Sequence, residues 1–333
     1  MSIIWMEGFE LNDYALEFEE TAGINTGSGL TPALFGRSCG FLGNNFALAR
    51  YAIKNLGNDF SEGLVSFAFA IDSPIVGSRQ IFYTRSGAST NQVILYLNVD
   101  GTISVYRNTT LLATTPDPVI TASDVRYRIE LGFSISSSSG TIDLRVNDSQ
   151  LINQTGLNTM NTSSTFNKLI FSNYTGNGRC YFDDIIFDTD KTAFRGDFTI
   201  ENLYPNSDVS GYSIPSTGVN RWATIDEISQ YSADDYNSFS GVGLDVYGLT
   251  NLTSNPQSIY GVSFNWIGRK SDTSNCSMRG LLYSGTGVVS GVNNAMNISA
   301  QKFRHVVEYD PNTSLGWTAS GVNSLQLGIQ RTY

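Results

Sequence analysis

The chain has 333 residues, of which 41% are hydrophobic and 12% aromatic, whereas only 15% are charged. This length favours two domains with sizeable apolar cores. Its net charge of −10 excludes nucleic acid as an expected partner, because binding a polyanion needs a basic patch. No apolar stretch approaches the roughly 18 residues that a membrane helix needs, so we expect no membrane insertion.

The cysteines predict a protein that folds in a reducing compartment. Cys39, Cys180 and Cys276 are odd in number and far apart, and no Cys-x-x-Cys or Cys/His spacing accompanies them. Zinc is therefore not expected, and free thiols indicate cytoplasmic folding. The acidic N-terminal segment also lacks the basic n-region of a signal peptide.

The first half of the chain predicts short strands at the spacing of a β-sandwich. They begin with residues 3–10 and continue at residues 63–71 and 80–84. Residues 93–99 and 102–106 flank Asp100-Gly101, a turn pair that tolerates positive φ and predicts a hairpin.

A second hairpin is predicted from residues 127–135 and 141–146. Its apolar positions alternate with polar ones, as in a sheet with one solvated face. The side chains predicted to share one face are Ile129, Leu131, Phe133, Ile135, Ile142, Leu144 and Val146.

The last strands of this half are residues 168–172 and 179–187. A sandwich would pair the final strand with the first, which places a domain boundary near residues 188–191. We therefore predict a domain over residues 1–190 and a second, smaller β-rich domain over residues 191–333. The strands expected in the second domain are residues 198–203, 258–267, 278–283, 303–309 and 325–330.

Four segments in order resemble the concanavalin A-like jelly roll in its laminin G-like form. They are residues 100–106, 127–131, 140–147 and 181–187, which read DGTISVY, YRIEL, GTIDLRVN and YFDDIIF. The resemblance implies an all-β fold, with an N-terminal jelly-roll sandwich followed by the smaller β-rich domain.

The whole chain also resembles a group of tailed-bacteriophage virion proteins. The matching segments are WMEGFE at residues 5–10, RGDFTIENLYPN at 195–206, DPNTSLGWT at 310–318 and VNSLQLG at 322–328. The resemblance implies a virion surface protein of the tail or a capsid decoration, folded in the bacterial host cytoplasm. Its implied partners are other virion proteins and further copies of itself.

Motifs of catalysis are missing from the sequence. Jelly-roll glycoside hydrolases carry paired carboxylates on one strand, and no Glu-x-Asp-x-x-Glu string occurs. Gly-x-Ser-x-Gly is also absent, and the single histidine, His305, has no nucleophile motif beside it. The sequence thus predicts a protein that is not an enzyme.

An acidic group closes the first predicted domain and has two interpretations. Asp183, Asp184 and Asp188 supply the oxygen ligands that calcium prefers, and no other cofactor is expected. The interpretation we favour is strand-end carboxylates that accept backbone or arginine hydrogen bonds. Asp183 and Asp184 are adjacent, so in a regular strand they would point to opposite faces.

Aromatic residues of the second domain form the candidate binding set. They are Tyr204, Tyr212, Trp222, Tyr231, Tyr236 and Tyr247. Such rings stack on sugars, anchor protein interfaces or fill a small core, and the sequence leaves all three roles open. We predict a structural or binding component that docks on a virion through β-domain surfaces. The alternative is a receptor-recognition module of the tail that binds a host surface glycan.

Overall fold

The structure is a computed structural model that describes residues 2–9, 18, 20–22, 24–27, 39–42, 50–174, 178–218, 220–226 and 235–333. The chain divides into two compact units, residues 2–200 and residues 201–333. The sequence places the boundary near residues 188–191, whereas the first unit of the structure runs on to Ile200. Residues 175–177, between the last two strands predicted for the first half, fall outside the described residues.

Almost every element of the first unit is a strand. In chain order the strands are β1 (Ile3–Glu7), β2 (Glu20–Ala22), β3 (Ile24–Gly27), β4 (Cys39–Leu42), β5 (Arg50–Phe60), β6 (Glu62–Ile71), β7 (Arg79–Ser86), β8 (Thr90–Leu97), β9 (Ile103–Arg107), β10 (Thr110–Thr114), β11 (Tyr127–Ser134), β12 (Gly140–Val146), β13 (Ser149–Leu157), β14 (Phe166–Tyr174) and β15 (Cys180–Asp188).

These strands form two antiparallel sheets. One has eight strands in the order β13-β12-β11-β6-β15-β4-β3, with β1 also paired to β15. The other has seven strands in the order β10-β9-β8-β7-β14-β5-β2. The predicted all-β class is confirmed, and so is the pairing of the first strand with the last, where Trp5 lies opposite Phe187.

The core of the first unit lies between its two sheets. Phe67 of the eight-stranded sheet is completely buried, and its ring centroid lies 5.9 Å from that of Phe82 and 5.6 Å from that of Phe171 in the other sheet. Leu131 and Leu144 point into the same core. Burying aromatic and branched side chains is the main source of stability in such a sandwich.

Both predicted hairpins are present. Strands β8 and β9 are joined through Gly101, whose φ of +85° is a conformation that glycine adopts without strain. Strands β11 and β12 pair Leu131 with Leu144 and Phe133 with Ile142, as the alternation predicts. Local turn chemistry and period-2 patterning were therefore sufficient for this part of the fold.

The segment that follows β15 is irregular, and the predicted strand over residues 198–203 is wrong. The guanidinium of Arg145 lies 3.8 Å from the centroid of the Phe194 ring, and Arg195 donates a backbone hydrogen bond of 3.0 Å to Glu130 Oε1. The main chain passes so close to Gly132 that a Cβ there would overlap the carbonyl oxygen of Lys191. Side chains of the eight-stranded sheet thus bind this segment, and it does not join a ladder.

The second unit is also β-rich. Its elements are β16 (Pro205–Ser210), β17 (Ile214–Pro215), a 3₁₀ turn (Trp222–Thr224), β18 (Asn237–Ser238), β19 (Gly243–Leu249), β20 (Val262–Gly268), β21 (Ser277–Ser284), β22 (Gly287–Ser290), β23 (Asn294–Ala295), β24 (Gln301–Val307), α1 (Ala319–Asn323) and β25 (Gln326–Arg331). Its main sheet has the order β16-β19-β25-β21-β22 with β23 beside β21, and β17-β18 and β20-β24 form two-stranded ribbons.

The core of the second unit is small. Phe264, Leu282, Trp317 and Val322 are among its buried members, and Trp317 Nε1 donates a hydrogen bond of 2.8 Å to the Val307 carbonyl. The short helix α1 was not predicted, because five residues are too few for a 3.6-residue period to be visible.

Two further features concern the cysteines and the helices. Cys180 and Cys276 are free thiols, and burial raises the pKa of Cys180 to about 11, so this thiol stays protonated. Within the described residues, the helices include none with the length and apolar character needed to span a bilayer.

Candidate functional site

The structure separates the aromatic residues that the sequence groups together. Tyr247 is buried, and Tyr204 and Trp222 are half-buried. Tyr212 and Tyr236 are 50% and 49% exposed. The sixth member of the set, at position 231, lies outside the described residues. Of the described members, Tyr212 and Tyr236 are therefore the ones placed to meet a partner with much of their rings.

Tyr247 and Asp245 together hold the backbone that carries Tyr212. Its hydroxyl donates a hydrogen bond of 2.8 Å to Asp245 Oδ2 and accepts one of 3.0 Å from Asn237 Nδ2. Asp245 is fully buried, and its Oδ1 accepts the backbone N–H groups of Tyr212 at 2.6 Å and Ser213 at 3.0 Å. Burial, followed by the nearby Asp245 charge, raises the pKa of Tyr247, so the phenol remains a donor. The network fixes the backbone that carries Tyr212.

The Tyr212 ring packs against Gly243 at the start of β19. A Cβ on Gly243 would overlap this ring, and the Phe239 ring lies nearly parallel to it at a centroid distance of 6.4 Å. Ile214, two residues after Tyr212, and Val242, which precedes Gly243, are 61% and 63% exposed. We call Tyr212, Ile214, Tyr236 and Val242 the ribbon surface.

Trp222 and Tyr204 occupy other positions in the second unit. The backbone N–H of Trp222 donates to Asp208 Oδ1 at 2.9 Å, which holds the 3₁₀ turn against β16. The backbone N–H of Tyr204 donates to Thr250 Oγ1 at 3.0 Å, and the Tyr204 carbonyl accepts from the Thr250 N–H. Both contacts are made by the backbone and hold the chain in place.

Two of the three aspartates proposed for calcium, Asp184 and Asp188, are bound by arginines. Arg126 Nη2 lies 3.0 Å from Asp184 Oδ2, and Arg195 pairs with the buried Asp188. Asp184 has a φ of +47° at a bulge in β15, so the strand is not regular there, and Asp183 is buried as well. Within the described parts of the chain, no three His, Cys, Asp or Glu side chains converge as a metal site would require. The calcium hypothesis and the favoured interpretation of strand-end carboxylates both stay predictions.

A second apolar cluster, which was not predicted from the sequence, lies on the outer side of the seven-stranded sheet. Alternate residues of its strands point away from the core, and they form a separate apolar cluster with Ile53, Tyr83, Ile94 and Ile170 at its centre. The missed signal is the continuous apolar run in β8 and β14, which indicates strands that are apolar on both faces.

Strand register aligns these side chains into one row across five strands. Ile53 lies opposite Ile170, Ile170 opposite Tyr83, Tyr83 opposite Ile94, and Ile94 opposite Tyr106. Neighbouring strands are spaced about 4.8 Å apart, so the row is about 19 Å long. The row crosses the strands nearly at right angles, and Ile53, Ile170, Tyr83 and Ile94 within it are buried.

Half-buried tyrosines flank this row. Tyr51 and Tyr96 pack against the apolar cluster, as does Tyr106, and the rings of Tyr96 and Tyr106 meet edge to face with centroids 5.1 Å apart. On the other side of the row lie Arg85 and Lys168, which are paired across β7 and β14. We call the outward side chains of Tyr51, Tyr83, Tyr96, Tyr106, Arg85 and Lys168 the tyrosine face.

Comparisons with known proteins concern the fold. No protein-family model matches the chain, and a comparison with curated proteins finds no match. An endo-β-1,4-glucuronan lyase from the fungus Trichoderma reesei is 12% identical, over 57% of this chain and 99% of its own, with a TM-score of 0.44. A Bacillus subtilis protein of unknown function with a galectin-like fold is 12% identical, over 57% and 96%, with a TM-score of 0.40.

A third similar structure is the carbohydrate recognition domain of Emp46p, 9% identical over 52% of this chain and 94% of its own, with a TM-score of 0.36. At such identities the likeness concerns the fold alone, and the fold is a galectin-like, concanavalin A-like jelly roll. A phage origin finds no support in these structures and stays a prediction.

The prediction that the chain is not an enzyme is wrong. It depended on missing catalytic motifs in a fold taken to be a binding scaffold, yet the structures similar to this chain include a lyase. Paired carboxylates mark glycoside hydrolases, whereas proton abstraction needs one general base, a role that Tyr, Lys or His also fills. The absent motif therefore does not exclude enzymatic activity.

Proposed function

We propose that the first unit binds a glycan chain that lies across the strands of the seven-stranded sheet, on the tyrosine face. The observation that carries this proposal is the set of half-buried tyrosines, Tyr51, Tyr96 and Tyr106, that pack against the buried cross-strand cluster of Ile53, Ile170, Tyr83 and Ile94. Aromatic rings bind the apolar faces of sugars, and tyrosine adds a polar hydroxyl at the ring edge.

The row suits a polymer better than a compact ligand. Its length of about 19 Å follows from five strands at the usual spacing, and the half-buried Tyr51, Tyr96 and Tyr106 lie along it. Tyr96 and Tyr106 hold one another edge to face, so little side-chain freedom is lost when a ligand binds. A rigid sheet therefore presents the tyrosines already ordered.

A glycan array with the full chain tests the proposal. We expect binding by the wild type and its loss in the double variant Tyr96→Ala/Tyr106→Ala. Tyr309→Ala is the matched control, because Tyr309 is 60% exposed and lies in the second unit. An array that is blank with correctly folded wild-type protein would contradict the proposal.

For the second unit we propose a different role, self-association through the ribbon surface. Among the described residues, five exposed large hydrophobic side chains lie in residues 2–200 and twelve in residues 201–333, although the second unit is the smaller. Exposed apolar patches of this kind mark protein interfaces, and most homo-oligomers are symmetric. The occupant we propose is a second copy of the chain.

Light scattering coupled to size-exclusion chromatography tests self-association. We expect an oligomer for the wild type and a shift toward the monomer for Ile214→Ser. A wild-type monomer at high concentration would contradict self-association. The partner proposed for the ribbon surface would then be another virion protein.

On the sequence resemblance alone, we propose that both surfaces serve on the exterior of a tailed-phage virion. Folding in the host cytoplasm agrees with the free thiols of Cys180 and Cys276. Antibody labelling of purified particles, viewed by electron microscopy, would locate the protein on the tail or the capsid. Particles that lack the protein would contradict this placement.

A further inference from the structure

A positive charge is buried between the two sheets of the first unit. Arg79, at the start of β7, is completely buried, and it lies opposite Leu97 of β8, a member of the core. Residues directly opposite each other in an antiparallel pair share one face of the sheet, so the Arg79 side chain points into the sandwich. There its Nη1 donates a hydrogen bond of 3.7 Å to the Sγ of Cys180, in β15 of the other sheet.

The other two nitrogens of this guanidinium have no hydrogen-bond partner within the described residues. They are Nε and Nη2, and both atoms are buried. A guanidinium stays protonated in proteins, and a buried charge without a counter-ion is strongly destabilising. Arg79 therefore calls for an anion close to this pair of nitrogens.

The groups beside Arg79 do not provide this negative charge. Burial raises the pKa of the Cys180 thiol to about 11, so the sulfur is neutral at physiological pH. Asp72 acts on the same thiol, but its hydrogen bond and its ion pair go to Arg179, with the backbone N–H at 2.7 Å and Nε at 3.8 Å. Among the described residues, the ion pairs include none with Arg79.

Arg128 shows how the same unit compensates a buried guanidinium from within the chain. It is 1% exposed, and its nitrogens lie 3.8 Å from Asp184 Oδ2 and 3.4 Å from Asp197 Oδ1. It also donates a hydrogen bond of 2.9 Å to the Asp184 carbonyl. Arg79 is buried as deeply and has a neutral thiol as its partner. This contrast indicates that the counter-ion of Arg79 comes from solution.

The two unpartnered nitrogens define the shape of the anion that fits. Nε and Nη2 lie on one edge of the planar guanidinium, where their N–H bonds are parallel. Two parallel donors match the two oxygens of a carboxylate, and such bidentate pairs are stronger and more specific than contact with a spherical ion. The free edge of Arg79 is therefore a bidentate carboxylate site.

The position of this edge limits the size of the ligand. Asn173 Oδ1 is another buried atom that lacks a partner within the described part of the chain, and Asn173 Nδ2 donates at 3.2 Å to the carbonyl of Leu42, which is paired with Cys180. This end of the interior is thus polar. Ser78, directly before Arg79, is exposed, so solvent is one residue away. A small anion suits such a position better than a polymer does.

We infer that the interior of the first unit binds a small carboxylate, of the size of formate or acetate, through Nε and Nη2 of Arg79. The ligand would tie the two sheets together, because the same guanidinium contacts Cys180 in the opposite sheet. The tyrosine face lies on the outer side of the seven-stranded sheet. The inference therefore goes beyond the proposed glycan binding and does not depend on it.

Thermal unfolding of the full chain tests the inference. The protein is dialysed into a zwitterionic buffer, and sodium formate, acetate or chloride is then added in matched series. We expect formate or acetate to raise the unfolding midpoint by roughly 5 °C or more at about 100 times its dissociation constant. Chloride should act more weakly. An equal effect of chloride at every concentration would overturn the assignment to a carboxylate.

Arg79→Met assigns the effect to the buried guanidinium. The variant should lose the rise with formate and acetate. Without added carboxylate it should unfold at the wild-type midpoint or above, because it removes an uncompensated buried charge. Arg107→Met is the control with the same change in net charge: Arg107 is half-buried, donates to Thr110 Oγ1, and should keep the wild-type response. A full response in Arg79→Met would overturn the inference.

Arg79→Lys and a direct measurement keep the test decisive if Arg79→Met does not fold. Lysine keeps the charge but lacks the two parallel donors, so its affinity for formate should be roughly tenfold lower or less. In wild-type protein labelled with ¹⁵N-arginine, the Arg79 Nε–H signal, assigned through its loss in Arg79→Lys, should move as formate is added. A signal that stays in place, or undiminished affinity in Arg79→Lys, would overturn the inference.

Discussion

The guanidinium of Arg128 lies 3.9 Å from the centroid of the Phe198 ring and donates a hydrogen bond of 2.9 Å to the Asp184 carbonyl. The side chain is almost completely buried, and burial lowers its pKa to about 10 despite the nearby Asp184 charge, so it stays ionised at neutral pH. A buried cation of this kind needs an anion close by. Asp184 is that anion, and the irregular segment around Phe198 closes over the pair.

Asp184→Asn should lower the free energy of unfolding by about 3 kcal/mol, because removing one partner leaves a buried charge uncompensated. Asparagine tolerates the positive φ at this position, and it keeps an acceptor for the Ile200 N–H, so the change removes mainly the charge. Urea unfolding followed by tryptophan fluorescence measures the difference.

Asp197→Asn is the matched control for this prediction. Asp197 also pairs with Arg126 and Arg128, but its side chain is 61% exposed. Exposed ion pairs contribute about 1 kcal/mol or less. An equal loss of unfolding free energy in the two variants would show that burial does not make the Asp184 charge more stabilising than the exposed charge of Asp197.

The first unit was predictable because its signals are local. The Asp100-Gly101 turn and the alternation that pairs Leu131 with Leu144 follow from period-2 geometry and turn chemistry. The segment around Phe198 was not predictable, because apolar alternation in FTIENL looks like a strand. Its real partners are Arg126 and Arg128, far away in the sequence.

The candidate sites were predictable only in part. The sequence left exposed and buried roles open for the aromatic set; Tyr212 and Tyr236 are exposed, whereas Tyr247 is buried and bonded to Asp245, a contact that residue type alone does not reveal. The tyrosine face depends on register across five strands, and long-range register is invisible in a single sequence. Its members are far apart in the chain, from Tyr51 to Lys168.

Tyr247→Phe should lower the free energy of unfolding by about 1–2 kcal/mol, because the buried Asp245 loses a hydrogen bond and Asn237 loses an acceptor. Chemical unfolding measures this loss. Tyr236→Phe is the control. Tyr236 is half exposed, so the loss of its hydroxyl should change the free energy of unfolding little. A loss as large in the control would contradict a supporting role specific to Tyr247.

Asp100 should titrate below its usual range. The hydroxyl of Thr102 donates to Asp100 Oδ1 at 2.7 Å, and the Thr102 backbone N–H donates at 3.0 Å, which together lower the pKa of Asp100. A carboxyl whose pKa is lower in the folded state stabilises the fold above its unfolded pKa, and this contribution is lost as the pH falls through the folded pKa.

Thr102→Ala should therefore raise the pKa of Asp100 toward its ordinary value. Carboxyl NMR titration of the variant measures the change. Asp272, whose pKa is lowered in the same way by Ser274, serves as an internal reference and should not move. An unchanged Asp100 in the variant would show that the Thr102 hydroxyl does not cause the shift.

Removal of divalent cations should leave the thermal unfolding midpoint unchanged. Asp184 and Asp188 already pair with Arg126 and Arg195, so a calcium ion would have to displace an arginine from a buried carboxylate. Differential scanning calorimetry with chelator, and then with excess calcium, measures this. A midpoint that rises with calcium concentration would demonstrate binding to the folded state and contradict the prediction.

Gly243→Ala should disturb the ribbon surface as strongly as Tyr212→Ala does. The new Cβ would overlap the Tyr212 ring, so the ring must leave its place beside Phe239. We expect both variants to shift the oligomer toward the monomer in light scattering. Alanine ordinarily stabilises a strand relative to glycine by about 0.5–1 kcal/mol, so a loss of association points to the ring and not to the backbone.

Gly316→Ala is the control for this comparison. Gly316 lies in the same unit, and a Cβ there would meet no atom within 4 Å. It should leave both folding and association unchanged. Gly243→Ala could associate like the wild type while Tyr212→Ala does not. That result would show that association needs the Tyr212 ring but not its fixed orientation. If neither variant changes association, the interface lies elsewhere on the second unit.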